Sequence, residues 1–341
     1  MYDFEPERVK RFLERHRAKR AAIQLPAGLR EYLAEILPVY EESGVETLIL
    51  GDNCYGGCDV ADVLARRLGC DVLVHYGHSD MGLSTCLPVL YVEARMNIDL
   101  LEVVKQALSE LELKRVGLAT TVQHVGGLKD VIEVLRSRGL EPMVGPAGWR
   151  AKYPGQILGC DFRCVRSVAD DVDGFLYIGT GRFHPLGISL STSKRVVTVN
   201  PIAGKSEEFD LELEDFLRHR RAMINRAAAC KKFGVVVSIK PGQARFKLAS
   251  TLLWSLKRAG ISARLLVVDE VRPENLADFR LEAFVCVACP RIPIDDAERF
   301  DEPVLTPFEA MVMLGEASFE PYKLDEVRRE DFEKWDEKKA A

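Results

Sequence analysis

Three times along this chain an apolar, β-branched run passes through a glycine-bearing turn into an amphipathic helix, and that repetition restricts the fold more than any other feature. The runs are AAIQLP (21–26), RVGLATT (115–121) and FGVVVSI (233–239), and the turns are LPAGL, QHVGGL and KPGQAR, around Gly28, Gly126 with Gly127, and Gly242. Strands alternating with helices predict parallel α/β sheets, because a parallel strand pair needs a crossover to bring the chain back. The first stretch continues as helix LREYLAEILPVYEES, strand TLILGD, helix DVADVLARRLG, strands DVLVHYG and PVLYVEA, and helix LLEVVKQALSEL. The second adds the helix LKDVIEVLRSRG and the strands FLYIG and RVVTVNP. The third adds the helix ARFKLASTLLWSLKRAG, the strands ARLLVVD and AFVCVAC, and a final PVLTP.

The expected fold is three similar parallel-sheet α/β domains in a pseudo-threefold arrangement around a central site. Their bounds are read as 1–112, 113–204 and 231–322, with a connecting helix over 205–230 and a charged tail, helical or frayed, over 323–341. A length of 341 residues suits two or three units, at ~100–200 residues per domain. Lys plus Arg number 47 and Asp plus Glu 52, a net charge of −5, which gives no global basic field for nucleic acid. No apolar run approaches the roughly 18 residues of a membrane span, and the charged N-terminus has no signal-peptide core, so a cytosolic (cytoplasmic) protein is expected.

In a reducing compartment the nine cysteines are read as metal ligands or buried residues rather than disulfides. Spacing singles out three. GDNCYGGC ends at Cys58, PGQILGC ends at Cys160, and VCVACPR holds Cys289; 13 residues beyond each, at Asp71, Asp173 and Glu302, an acid opens an apolar run. Read as three copies of one unit, the chain brings three thiols to the strand-end crevice where α/β sheets bind ligands. Three thiolates without a fourth protein ligand suit an iron–sulfur cluster with one iron open to substrate. The competing metal reading is a closed zinc site of Cys54, Cys58, Cys286 and Cys289, which leaves Cys160 idle. Cys70, Cys86 and Cys230 are assigned to packing, the common place of a cysteine. Position 61 is Ala, so the usual radical S-adenosylmethionine (SAM) motif C-x3-C-x2-C is absent.

YGGCDVAD (55–62), LVHYGHS (73–79), GQILGC (155–160) and ACPRIPIDD (288–296), in this order and spacing, resemble the archaeal 2-(3-amino-3-carboxypropyl)histidine synthase family of diphthamide biosynthesis over about residues 20–310. The resemblance implies three similar α/β domains, a homodimer, and a 4Fe-4S cluster held at the matching positions Cys58, Cys160 and Cys289. Cys54 and Cys164 are extra thiols beside that set. It also implies reductive cleavage of the bond between the SAM sulfur and the methionine γ-carbon, which needs an electron donor and releases methylthioadenosine. The 3-amino-3-carboxypropyl group then joins imidazole C2 of a histidine on translation elongation factor 2.

The carboxylate of SAM needs donors, and Gly-rich turns at strand ends supply backbone N–H groups. GTGRFHPLG is the first candidate, through Gly179, Thr180 and Gly181 with the side chains of Arg182 and His184; a tight turn demanded by the fold explains it equally. Lys240 and Gln243 of KPGQ are second, and Arg291 pairs with a carboxylate or offsets cluster charge. His75 and His78 are expected to hydrogen-bond near the cluster or the protein substrate. The HRR run at 219–221 reads as a solvated helix face. Two rival functions remain open: a dehydratase resembling quinolinate synthase, and a zinc-stabilised binding protein.

Overall fold

The computed structural model describes residues 2–107, 113–209 and 212–332. The chain divides into two compact units, one of Met1–Ile157, Arg163–Thr180 and Thr198–Glu207, the other of Leu158–Phe162, Gly181–Val197 and Glu208–Ala341. The architecture is α/β with several parallel-sheet domains. The first sheet holds β1 (Arg20–Gln24), β2 (Glu46–Leu50), β3 (Val72–Tyr76) and β4 (Val89–Val92) in the order β2-β1-β3-β4. The second holds β5 (Arg115–Thr120), β6 (Glu141–Val144), β7 (Gly174–Ile178), β8 (Arg195–Asn200) and β9 (Lys205–Glu208) in the order β6-β5-β7-β8-β9. The third holds β10 (Lys232–Ser238), β11 (Ser262–Val268), β12 (Ala283–Cys286) and β13 (Val304–Leu305) in the order β11-β10-β12-β13.

All three sheets run second, first, third, fourth. The winding therefore reverses between the first and third strands of each, and ligands bind outside the carboxyl ends at such a reversal. Both faces of each sheet are covered, as parallel strands require. In the first sheet Ala21, Ile23, Val72 and Val74 face Val9, Leu13 and Tyr40, while Ala22, Leu73 and Leu50 face Val60, Ala65 and Cys70. In the third, Phe233, Val235 and Val237 pack on Ala249, Leu252 and Leu256 of the helix Phe246–Arg258.

Side chains repeat as well as topology. Gly117 of β5 lies opposite Phe175 of β7, and Gly234 of β10 opposite Phe284 of β12. A Cβ at Gly117 would stand 2.3 Å from the Phe175 ring, and one at Gly234 would stand 2.8 Å from Phe284, so each aromatic ring lies across the glycine of its partner strand. Ala22 opposite Leu73 is the milder version in the first sheet.

The acid that marks each repeat sits just before the third strand and accepts from the two backbone N–H groups that open the first. Asp71 takes Lys19 at 2.8 Å and Arg20 at 3.0 Å; Asp173 takes Lys114 at 3.2 Å and Arg115 at 2.8 Å. The third member is Glu282, which takes Lys231 at 2.6 Å and Lys232 at 3.3 Å. Glu302, the acid expected from the 13-residue offset, instead precedes the fourth strand, β13. Cys58 and Cys160 follow second strands, whereas Cys289 follows a third strand, so the shared offset does not describe equivalent positions.

Other local expectations change too. Pro38 splits the expected long helix, leaving Leu33–Ile36 and Pro38–Glu42. The end of helix LLEVVKQALSEL, and the boundary near 112, lie outside the described residues; Leu100–Ala107 is helical. The connecting segment is the edge strand β9 followed by the helix Glu212–Ala228. Arg220 in its HRR run is not on a solvated face: it is 1% exposed and holds Glu309 through two bonds of 2.7 Å. Among the described residues, the expected tail starts as a packed segment with no α-helix. Asp325, Val327 and Asp331 are buried, the last of them in the short 3-10 turn Arg329–Phe332.

Candidate functional site

The residues singled out by sequence lie at carboxyl strand ends. Cys58 sits on the loop after β2, and glycine shapes that loop: a Cβ at Gly57 would stand 2.5 Å from the Ser79 carbonyl. Gln24, the last residue of β1, secures the loop from below. Its Nε2 donates to the Asp59 carbonyl at 2.7 Å, and its Oε1 accepts from the Ala61 N–H at 3.1 Å. The same oxygen lies 2.9 Å from His75 Nδ1, which must therefore carry the proton. His75 Nε2 is then a lone pair, and His78 Nδ1 donates to it at 3.0 Å.

Both imidazoles are neutral. Burial depresses the pKa of His75, with His78 adding to the effect, and burial alone lowers that of His78 to about 4. Cys54 Sγ lies 3.9 Å from His75 Nε2. Tyr91 packs its ring 5.1 Å from that of His75, and its buried hydroxyl has no hydrogen-bond partner among the described residues.

Cys160 and Cys289 belong to one unit, and their loops share neighbours. A Cβ at Gly159 would meet Phe183 at 2.9 Å and the Arg291 side chain at 3.4 Å. The Cys160 carbonyl accepts from the Val327 N–H at 3.0 Å. That strap is held by Arg245, 1% exposed, which bonds Asp325 at 2.6 and 2.8 Å and Asp331 at 2.9 Å. Burial, opposed by a hydrogen bond from the Ala288 backbone, pushes the Cys286 thiol up to about 12. The Cys286 thiol lies inside the apolar cluster of β12, a packing place.

Cys58, Cys160 and Cys289 are half-buried; Cys54, Cys70, Cys164 and Cys286 are buried. Cys70 packs as expected, but Cys86, also assigned to packing, is exposed. Cys230 is half-buried, and its thiol lies 3.3 Å from the Glu282 carbonyl at the amino end of the third sheet, away from the crevice.

Gly179, Thr180 and Gly181 form the turn after β7, and Gly181 takes φ +78°, where glycine is favoured. Arg182 caps the helix Phe183–Thr192, so the turn opens onto the positive end of a helix, a site suited to a carboxylate. Burial, then Arg291, lowers the pKa of His184 to about 4, so it can donate only as a neutral ring. Arg291 pairs with Asp295 at 2.6 Å and stacks on Phe183. Lys240 is nearly buried with its ammonium 3.7 Å from Asp269, and Gln243 is buried one turn on. Gln24 and Arg245 escaped the sequence reading; the one available signal was a polar side chain placed directly against an apolar run.

The sequence profile of the diphthamide synthesis protein family matches residues 25–323. The 2-(3-amino-3-carboxypropyl)histidine synthase of Pyrococcus horikoshii is 38% identical over 96% of this chain and 94% of its own. Subunit 1 of the synthase of Schizosaccharomyces pombe is 32% identical over 91% of this chain and 73% of its own. Among solved structures, Dph2 from Pyrococcus horikoshii with a 4Fe-4S cluster matches with a TM-score of 0.90 at 38% identity, covering 96% of this chain and 95% of that one.

Proposed function

We infer the function from one premise: the chain belongs to the diphthamide synthesis protein family. It is an enzyme, a transferase that makes 2-(3-amino-3-carboxypropyl)histidine. The observation that carries this reading is similarity along nearly the whole of both chains to a synthase of that name. Beyond it, we assign SAM as donor, a histidine of translation elongation factor 2 as acceptor, and a 4Fe-4S cluster to Cys58, Cys160 and Cys289. Three domains are assigned at 1–112, 113–204 and 231–322, with the edge strand β9 of the second sheet lying past the second bound, and a cytoplasmic homodimer served by a separate electron donor completes the reading. No helix of the described residues is long and apolar enough to cross a membrane.

The exposure and loop placement of the three thiols support that assignment. The three thiols are partly exposed on crevice loops, while Cys70, Cys164 and Cys286 are buried in packing positions. When bound, the cluster supplies the electron that breaks the bond between the SAM sulfur and the methionine γ-carbon, releasing methylthioadenosine. The chain's own groups position the donor. The N–H groups of Thr180 and Gly181 and the Arg182 guanidinium receive the carboxylate at the helix end, the Gly179 N–H being held by the Val199 carbonyl, and neutral His184 donates without adding charge. Lys240 and Gln243 orient the other end of the donor, and Arg291, already tied to Asp295, lines the Cys160 loop without contributing a full charge.

The test is anaerobic incubation of reduced protein with SAM, with and without elongation factor 2. Methylthioadenosine is expected in both cases, with label from the aminocarboxypropyl chain on one histidine of the factor. Deoxyadenosine as the product would overturn the bond assignment, and absence of cleavage under every reducing condition would favour a dehydratase.

A further inference from the structure

We propose that Cys54, His75 and His78 form a second, mononuclear site for a divalent cation of the zinc class, separate from the thiols assigned to the cluster. Their three ligand atoms lie within 4.8 Å of one another, and Cys54 and His75 are buried. Zinc bonds of about 2.3 Å to sulfur and 2.0–2.1 Å to nitrogen set tetrahedral edges of about 3.6 Å for S···N and about 3.3 Å for N···N. The observed edges are 3.9 Å from Cys54 Sγ to His75 Nε2 and 3.0 Å from that nitrogen to His78 Nδ1. Both edges lie within about 0.3 Å of the tetrahedral values, and the third, between Cys54 and His78, is no longer than 4.8 Å.

The outer contacts are those of a metal-binding imidazole. Gln24 Oε1 takes the Nδ1 proton of His75 and so fixes the tautomer whose Nε2 lone pair faces Cys54 and His78. Histidine ligands are commonly oriented by such a bond on their other nitrogen. Gln24 cannot turn its amide around, because its Nε2 is committed to Asp59 and its Oε1 to Ala61. Binding requires His78 to move its proton from Nδ1 to Nε2, with no net change, and Cys54 to release its thiol proton to solvent. A cation then replaces the hydrogen bond between the two rings.

A second observation points to a ligand. The Tyr91 hydroxyl is buried without a partner among the described residues, in a residue whose ring packs on His75. Three protein ligands leave a fourth zinc position for water, and such a water would give that hydroxyl a partner. The ion would fasten the Cys54–Asp59 loop to the end of β3 from the side opposite Gln24.

The test uses the full chain, prepared anaerobically with zinc in the medium and dialysed, with zinc and iron counted separately. One zinc per chain is expected in the wild type and in Cys58→Ser, where iron falls. Cys54→Ser and His78→Gln should each lose at least ten-fold in zinc affinity while keeping their iron, and Gln24→Met should lose about 10- to 100-fold. Circular dichroism of the serine variant verifies that it is folded. Cobalt substituted for zinc should show a thiolate-to-metal charge-transfer band that Cys54→Ser removes. A wild type that retains no zinc, zinc unchanged in both variants, or cobalt without that band would overturn the site. The cluster assignment stands or falls on the iron count alone.

Discussion

The loops that carry Cys58 and Cys160 are anchored by opposite physics. Beneath Cys58 lies a chain of neutral groups, Asp59 carbonyl to Gln24 to His75 to His78, in which each hydrogen bond dictates the direction of the next. Beside Cys160 lies a buried guanidinium between two carboxylates, with the strap it holds donating one N–H to the Cys160 carbonyl. A neutral relay costs little to bury and loses moderately when cut. A buried ion triad contributes little net stability when whole but loses heavily when one partner goes, because a charge is stranded. The two thiols share a proposed task, yet their supports differ in what they tolerate.

The largest effect tests whether the shared task overrides the different supports. Cys58→Ala and Cys160→Ala should each abolish transfer and lower the iron content, whichever loop is cut, while Cys70→Ala, inside the packing of the first sheet, leaves both nearly intact. Iron analysis and product assay measure it, and normal iron in Cys160→Ala would remove that residue from the set.

Next comes the triad. Arg245→Met leaves Asp325 and Asp331 buried without their counter-ion, though Asp331 keeps the Arg328 N–H. The substitution should cost about 3–5 kcal/mol in chemical denaturation and lower iron occupancy as the strap leaves Cys160. Replacing all three members by apolar residues should recover most of the stability. If it recovers none, the loss came from packing and the contrast of charged with neutral support fails.

How far the sequence foretold these two regions follows the same division. The strands and their order of appearance were legible, because short apolar, β-branched runs are local signals. Asp71 and Asp173 were found by spacing, but Glu282 was not. The third repeat places its cysteine after a different strand, so an offset counted from Cys289 lands on Glu302. Arg220 looked solvated because its partner Glu309 lies 89 residues away, and Arg245 drew no reading because Asp325 and Asp331 lie 80 and 86 residues away. A single run of charge cannot show which of its members a distant carboxylate will bury. Gln24 was hidden for a simpler reason: one polar residue at the end of an apolar strand looks like its boundary.

The neutral relay should yield a smaller loss than the triad. Gln24→Leu strands dipoles rather than charges, the His75 N–H and the Asp59 carbonyl among them, and should cost of order 1–3 kcal/mol. Thermal unfolding followed beside Arg245→Met measures the ranking. A larger loss in Gln24→Leu would show that the Cys58 loop, not the strap, is the more tightly specified region.

The smallest effect concerns His184, which places a neutral imidazole in the unit that holds the ion triad. Its folded pKa of about 4 lies below the ordinary value of 6.5, through burial first and Arg291 second. Between those two values the unfolded chain binds a proton that the folded chain does not. The stability due to this group is therefore complete above about pH 6.5 and declines as the pH falls toward 4, with a slope of at most about 1.4 kcal/mol per pH unit for one proton. His184→Asn should flatten that part of the profile, leaving the slopes due to other groups. It also separates two ways of holding a carboxylate. A neutral donor gives SAM affinity that is level between about pH 6 and 8, whereas an imidazolium would strengthen binding as the pH drops through that range. Titrating SAM into wild type and His184→Asn at both ends of the range decides it. Binding that tightens toward pH 6 in the wild type but not in the variant would mean that the bound ligand charges His184, making this unit's histidine the opposite of the neutral pair beneath Cys58.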